Sequence, residues 1–149
     1  MHRAKKLLLL AILSAPPMAI ALMLLALAMS DGFGPGLTDF SADLGNGYQL
    51  VQSSAQVVQI CPKNGWSDDR QIIPEKVVSC GANADFIIAE QNPLDAKGRP
   101  TTGDNPFWIL KVAEKHSYGP FTGDEFKLKR KEFGVPDSLG FRRAQSYRP

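Results

Sequence analysis

The first thirty residues constrain this chain more than any other stretch, because they are almost wholly apolar. Residues 7–29 contain no charged side chain, and Arg3, Lys5 and Lys6 precede them. A helix needs about 20 apolar residues to cross the hydrocarbon core of a bilayer. Basic residues ahead of such a segment favour a cytoplasmic N-terminus. We therefore expect residues 1–30 to be a transmembrane signal-anchor helix that leaves the rest of the chain on the extracytoplasmic side.

A cleaved secretory signal peptide is the alternative for this segment. Its apolar region usually spans about 7–15 residues and ends at a small-x-small cleavage site, which Ala26-Leu27-Ala28 supplies. In that case the mature protein would be secreted or periplasmic. A lipid anchor at the signal peptide is excluded, because neither cysteine of the chain lies near residue 30.

Beyond the apolar segment, the sequence predicts three parts. We expect a linker rich in glycine and proline over residues 31–43, an α+β domain over residues 44–136, and a mobile basic tail over residues 137–149. Residues 31–126 carry 13 acidic and 7 basic side chains, whereas residues 127–149 carry 2 acidic and 7 basic ones. The whole-chain net charge of +2 hides this separation and gives no argument for nucleic-acid binding.

Two cysteines, Cys61 and Cys80, lie in the predicted domain. In an oxidising compartment, an even pair is most simply a structural disulfide. Their spacing is too wide for a CxxC redox motif, and a metal site would need further Cys or His ligands, of which the domain has only His116. We therefore predict a Cys61–Cys80 disulfide, no metal and no cofactor, with two free thiols as the alternative.

Short runs of β-branched and aromatic residues, bounded by turn residues, predict strands rather than helices. Such runs occur at residues 48–52, 56–60, 76–80, 85–90 and 107–112. Consecutive strands joined by short loops favour an antiparallel arrangement. The predicted fold is therefore α+β: a small antiparallel β-meander of about five strands with one C-terminal α-helix packed on it, preceded by the transmembrane or signal helix.

The C-terminal helix is the best specified element of the sequence. Thr122 and Glu125 have the spacing of a capping box, Phe121 and Phe126 have that of a hydrophobic staple, and Gly134 is placed to end the helix. Four basic residues lie between these ends: Lys127, Lys129, Arg130 and Lys131. We interpret them first as a solvated helix face and second as a binding surface for an acidic protein or lipid headgroups, and not as a nucleic-acid site.

Three segments together resemble a known bacterial family. They are F-I-I-A-E-Q at residues 86–91, F-W-I-L-K at residues 107–111 and Y-G-P-F-T-x-x-E-F-x-x-x-R-K-E-F-G-V at residues 118–135. Over residues 44–135 the chain is similar to a domain family of unknown function found in small exported or lipid-anchored envelope proteins. The resemblance implies envelope placement and a compact sheet-plus-helix fold, and it brings no catalytic residues. The chain departs from the lipid-anchored members because it lacks their lipobox cysteine.

Reactive side chains are few in the predicted domain. His116 and Ser117 are neighbours in sequence, but a nucleophilic site needs a base within hydrogen-bond reach and a third group that orients it. Asp68 and Asp69 are candidates for binding a divalent cation or for pairing with Arg70, but a calcium loop needs more oxygen ligands. The sequence therefore predicts no catalytic residue.

Trp66, next to a predicted turn, is the aromatic residue best placed to bind a partner, whereas Trp108 lies in mid-strand and is expected to pack in the core. The predicted protein is a membrane-anchored bacterial envelope protein, a non-enzymatic module that contacts another envelope protein through its sheet or its basic helix. A small envelope hydrolase, or an inhibitor of an envelope enzyme, is the alternative. A deep pocket that gathers His116 with Asp68 or Asp69 would favour an enzyme.

Overall fold

The computed structural model describes residues 39–65 and 68–149, in which eight strands and one α-helix form. The strands of the first sheet are β1 (Phe40–Gly45), β2 (Tyr48–Gln52) and β3 (Val58–Pro62). The strands of the second sheet are β4 (Val77–Ala82), β5 (Phe86–Gln91), β6 (Phe107–Lys111), β7 (His116–Phe121) and β8 (Arg142–Arg143). The helix, α1, spans Gly123–Phe133.

Strand pairing is antiparallel in both sheets, as the sequence predicted, but the strands form two sheets and not one meander. The small sheet has the order β1-β2-β3 and the large sheet the order β7-β6-β5-β4-β8. The connection from β3 to β4 carries a 3-10 turn at Asp69–Gln71 and then runs beside β3. There, Ile60 and Ile73 exchange two backbone hydrogen bonds with N···O distances of 3.1 and 3.0 Å. Because this connection is not a hairpin, β4 begins a new sheet.

A common core lies between the two sheets. Side chains from both sheets, together with Ile73 of the connection, are buried in it: Leu50, Val58, Ile60, Ile73, Val77, Cys80, Ile87, Ala89 and Leu110. On the other face of the large sheet, Ile88 and Ile109 pack against Phe126 of α1. Each buried aliphatic side chain contributes about 1.5–3 kcal/mol relative to exposure. The domain is therefore layered as small sheet, large sheet and helix.

The predicted ends of α1 are confirmed. The Thr122 hydroxyl accepts a hydrogen bond from the Glu125 backbone N–H at 3.3 Å, and the Glu125 carboxylate accepts one from the Thr122 N–H at 2.8 Å. Gly134 ends the helix at φ 75°. Phe121 and Phe126 belong to the same hydrophobic cluster, as the staple predicted. The sequence alone predicts these ends, because the side chains that cap a helix lie within a few residues of the backbone groups that they bond.

The predicted mobile tail is wrong, because residues 137–149 pack onto the domain. Arg142 and Arg143 of β8 pair with β4. Ala144 is buried in the common core, and the Tyr147 hydroxyl donates to the Cys80 carbonyl oxygen at 3.2 Å. A two-residue strand and single docking side chains leave no periodic pattern in the sequence, which is why the packing was missed.

Two further strands, β1 and β7, were not predicted. β1 begins at Phe40, inside the expected linker, and a tight turn at residues 45–47 joins it to β2. The three turn residues have φ values of 85°, 53° and 82°, which glycine and asparagine adopt most readily. β7 contains the Tyr-Gly-Pro segment at residues 118–120. Proline is tolerated there because β7 lies at the edge of its sheet.

The predicted N-terminal membrane helix lies outside the described residues. Across residues 39–65 and 68–149, none of the helices has the length and apolar character needed to span a bilayer. The anchor, its cleavage and the location of the domain stay predictions from the sequence.

The predicted disulfide is not present in this structure, where Cys61 and Cys80 are free, buried thiols. Successive side chains of a strand point to opposite faces. Ile60 lies in the common core, so its neighbour Cys61 faces the other side of the small sheet, where the Gln49 amide nitrogen lies 3.9 Å from its sulfur. Cys80 lies in the core itself. The two thiols therefore do not face each other.

Both thiols are expected to resist alkylation in the folded protein. Burial raises the pKa of Cys61 and raises that of Cys80 to about 11, so little of the reactive thiolate exists at neutral pH. An alkylating reagent, added without reductant, is expected to leave both cysteines unmodified in the folded chain and to modify both after denaturation. Mass spectrometry measures the modification. If modification of the denatured chain requires a reductant, the pair is oxidised and the disulfide predicted from the sequence exists.

Candidate functional site

A groove in the domain is lined by residues of both sheets. Its volume is 580 Å³, and pockets that bind small ligands range over roughly 300–1,000 Å³. Its lining comes from β3, β6, β7 and residues 69–75, which we call the crossing segment. We call the site the Trp108 groove, after the aromatic residue that forms its floor.

The crossing segment is tied to both sheets. On one side, Ile73 pairs with Ile60 of β3. On the other, the Ser117 hydroxyl of β7 lies 2.8 Å from the Arg70 carbonyl oxygen and 2.9 Å from that of Ile72, and it donates its proton to them. These bonds fix one wall of the Trp108 groove relative to its floor.

Trp108 is held in place by a hydrogen bond and by close packing. Its indole N–H donates to the Gln91 side-chain oxygen at 2.8 Å, and the Gln91 amide nitrogen donates to the Glu75 carbonyl oxygen at 2.7 Å. Gly119 lies so near that a Cβ there would be 2.8 Å from two indole carbons. The prediction that Trp108 packs against the core is confirmed, but the same side chain also lines the groove.

Charged side chains surround the opening of the groove. Of the two roles that the sequence left open for Asp68, the structure shows pairing with Arg70, with 2.7 Å between Nη2 and Oδ2. Hydrogen bonds from Arg70 hold the pKa of the Asp68 carboxyl below its usual value. Asp69 and Glu75 also line the groove, and within the described residues neither carboxylate has a hydrogen-bonding or ionic partner. The opening therefore carries two carboxylates that have no ion-pair partner among the described residues.

Gln59 is the feature of the groove that sequence reasoning missed entirely. The residue is only 6% exposed and lines the groove, and its amide makes no hydrogen bond to any described residue. The amide atoms still reach solvent, because the buried side-chain atoms without a hydrogen-bond partner in the described residues are Asn92 Oδ1 and Arg130 Nε. The buried side chains of Gln52 and Gln91, by contrast, are bonded within the domain. In sequence, Gln59 is an ordinary polar residue of a strand, and nothing there signals this role.

His116 and Asp69 both line the groove, which is the arrangement that would favour an enzyme. No activated nucleophile accompanies them in the described part of the chain. The Ser117 hydroxyl is bonded to carbonyl oxygens, and the thiols of Cys61 and Cys80 are buried with raised pKa values. Residues 39–65 and 68–149 also contain no group of three or more His, Cys, Asp or Glu side chains able to hold a metal ion.

A second polar cluster lies on the helix side of β7. Lys111 pairs with Glu114 at 2.5 Å, and the Tyr118 hydroxyl donates to the same carboxylate at 2.5 Å. Both hydrogen bonds lower the pKa of the Glu114 carboxyl, and the bond from Lys111 has the larger effect. The Lys111 ammonium also lies 4.7 Å from the centre of the Phe133 ring. Since its members bond each other, this cluster joins the β6–β7 hairpin to α1 and offers no open site.

Three of the four basic residues predicted to bind a partner have partners within the domain. Lys127 and Lys129 form ion pairs along α1, with N···O distances of 3.1 and 2.7 Å. Arg130 donates to two backbone carbonyl oxygens beyond the helix, at 2.6 and 2.9 Å. Lys131 is exposed, with no bonded partner among the described residues. Trp66, the other predicted candidate, lies outside the described residues.

Comparison with known proteins gives one match. A family described as "Protein of unknown function (DUF3997)" matches residues 45–145, a span that includes β8 and most of the docked tail. The match bears out the resemblance to a family of unknown function, and it has no bearing on envelope placement. No curated protein and no solved structure matches the chain.

Proposed function

Because the chain belongs to the DUF3997 family, whose function is unknown, we propose its function from its own geometry: it is a non-enzymatic module that binds a partner in the Trp108 groove. The observation that carries this proposal is a groove of 580 Å³ whose aromatic side chain, Trp108, is fixed by a hydrogen bond. A site of this kind binds through apolar packing and orients its ligand with a few polar groups.

We place this module on the extracytoplasmic side of a bacterial membrane, where it would contact another envelope protein. The support is the apolar run at residues 7–29 and the basic residues before it, which favour an inserted helix with the N-terminus inside. If the leader is cleaved, the same domain would work in the periplasm or outside the cell.

The groove, rather than the basic face of α1, is the surface that we assign to the partner. Lys127, Lys129 and Arg130 already have internal partners. Exposed ion pairs contribute only about 0–1 kcal/mol, so exchanging one such pair for another gives a partner little affinity. The Trp108 groove instead offers apolar surface, at Ile72, Pro74 and Trp108, that a partner would bury on binding.

Site-specific photocrosslinking in intact cells tests this assignment. A photoreactive amino acid is placed in the full chain at Ile72, which lines the groove, or at Leu128, which is 68% exposed on α1. We expect a discrete adduct with an envelope protein from position 72 and none from position 128. An adduct from the helix alone, or from neither position, would overturn the proposal.

Alkaline phosphatase fused to the C-terminus reports the location of the domain, because this enzyme is active only outside the cytoplasm.

A small envelope hydrolase is the second candidate, favoured because His116 and Asp69 line one groove. Exchange of His116 for alanine separates the two functions in the same crosslinking experiment. A hydrolase without its base would leave the bound partner uncleaved. The adduct from position 72 would then be heavier in the His116 variant than in the natural protein. For a binding module, we expect an adduct of unchanged mass.

A further inference from the structure

We propose that Asn64 is a site of spontaneous covalent modification, at which the side-chain amide is lost and an aspartyl or isoaspartyl residue forms. The chain has five asparagines, at positions 46, 64, 83, 92 and 105. One of them, Asn64, has both the neighbour and the freedom that the reaction requires. Asn64 does not line the Trp108 groove, so this modification is independent of the function proposed above.

The reaction takes place between an asparagine side chain and the next residue of the chain. The backbone nitrogen of that residue bonds to Cγ of the asparagine, and the C–N bond of the side-chain amide breaks. The proton of the backbone N–H leaves with the amide group as ammonia. A water molecule then opens the succinimide ring at either carbonyl, which gives aspartate or isoaspartate. Glycine favours the attack, because it has no Cβ to crowd the nitrogen and adopts the widest range of backbone angles.

Three of the asparagines do not meet these requirements. Asn92 and Asn105 are each followed by proline, whose nitrogen has no proton to give up. Asn83 is followed by alanine, and its side-chain oxygen accepts two backbone hydrogen bonds, at 3.0 and 2.8 Å. Two Asn-Gly pairs are left, at residues 46–47 and 64–65.

The fold holds the first of these pairs. Asn46 lies in the turn between β1 and β2 at φ 53°, and its amide nitrogen donates to the Asn83 carbonyl oxygen at 2.9 Å. The Gly47 carbonyl oxygen accepts a hydrogen bond from the Lys63 N–H at 2.7 Å. We expect ring closure at Asn46 to require loss of the bond to Asn83, and the bond to Gly47 resists movement of that residue.

The second pair, Asn64-Gly65, has no such contacts. Both residues are exposed, and neither the Asn64 amide nor the Gly65 N–H makes a hydrogen bond within the described residues. A Cβ placed on Gly65 would have no atom within 4 Å, so the space around the attacking residue is open. The fold therefore restrains one Asn-Gly pair and leaves the other free to close the ring.

Modification of Asn64 changes both the charge and the backbone of the domain. The product has a carboxylate in a cavity of about 250 Å³ that Lys115 also lines, and Lys115 has no ion-pair partner among the described residues. The chain thereby gains one negative charge at neutral pH. In the isoaspartyl form, the backbone also gains one methylene group in the connection from β3 to the crossing segment.

Ageing of the purified full chain, in a mild non-ionic detergent at mildly alkaline pH, tests the inference. Peptide mapping by mass spectrometry follows the gain of about 1 Da at each Asn-Gly pair. In the folded chain we expect Asn64 to convert about tenfold or more faster than Asn46, because a hydrogen bond and the turn geometry hold Asn46. In urea, where the fold restrains neither pair, the two rates should agree within about twofold.

The variant Asn64→Gln is the control. Glutamine keeps the amide, but it would have to close a six-membered ring, which forms much more slowly. The acidic form that ion-exchange chromatography separates from aged protein should therefore largely disappear. Equal rates at both pairs in the folded chain, or faster conversion of Asn46, would overturn the inference. So would a folded chain in which Asn64 stays intact for as long as its conversion takes in urea.

Discussion

Exchange of Gly81 for alanine is expected to destabilise the domain by about 3 kcal/mol, near the upper end for overpacked sites. A Cβ at Gly81 would lie 2.1 Å from the Gly140 carbonyl oxygen, far inside van der Waals contact. Gly81 is buried in β4. Gly140 lies just before β8, which pairs with β4 where Arg142 lies opposite Cys80. Neither backbone can move away without loss of that pairing. Urea unfolding followed by circular dichroism measures the change.

Gly140→Ala is the control for this exchange. A Cβ at Gly140 has no atom within 4 Å, so its cost should stay within about 0.5 kcal/mol. The Gly81 variant should also expose residues 137–149 to protease, since the clash separates them from β4. If Gly81→Ala is as stable as the natural chain, the docking of these residues is wrong and the mobile tail predicted from the sequence is restored.

Exchange of Trp108 for alanine should cost about 3 kcal/mol, at the low end for tryptophan because the side chain is only partly buried. Two losses contribute. The indole packing against Gly119 and the common core disappears, and the buried Gln91 side-chain oxygen loses its donor. The adduct from position 72 should also be lost, because the aromatic side chain of the groove is gone. The measurements are the same unfolding experiment and the photocrosslinking experiment.

Trp108→Phe separates the two losses. Phenylalanine keeps an aromatic ring at the floor but has no N–H for Gln91, so we expect a cost of about 1–2 kcal/mol. If Trp108→Ala and Trp108→Phe lower the free energy of unfolding equally, packing of the ring does not stabilise this region. The groove then lacks the fixed aromatic floor on which the proposed site depends.

The sequence named several members of the groove without bringing them together. Asp69 was considered as a cation ligand or a partner of Arg70, Trp108 as a core residue, and His116 as a residue that would favour an enzyme if a pocket gathered it with Asp68 or Asp69. They meet because the crossing segment is tied to β3 on one side and to β7 on the other. Those ties join residues far apart in the chain. Gln59 had no signal at all, because its place in the groove depends on neighbours that only folding brings near.

The sequence by itself determined the local elements: both ends of α1 and the antiparallel strands β2 to β6 to within a few residues. Each of these depends on contacts among residues close in the chain, so their side chains carry the signal directly. The tertiary structure alone decided the division into two sheets, the separation of the two thiols, the docking of the C-terminal residues and the groove. Each of these depends on which surfaces bury one another across the domain, and burial between distant residues leaves no pattern in the order of the chain.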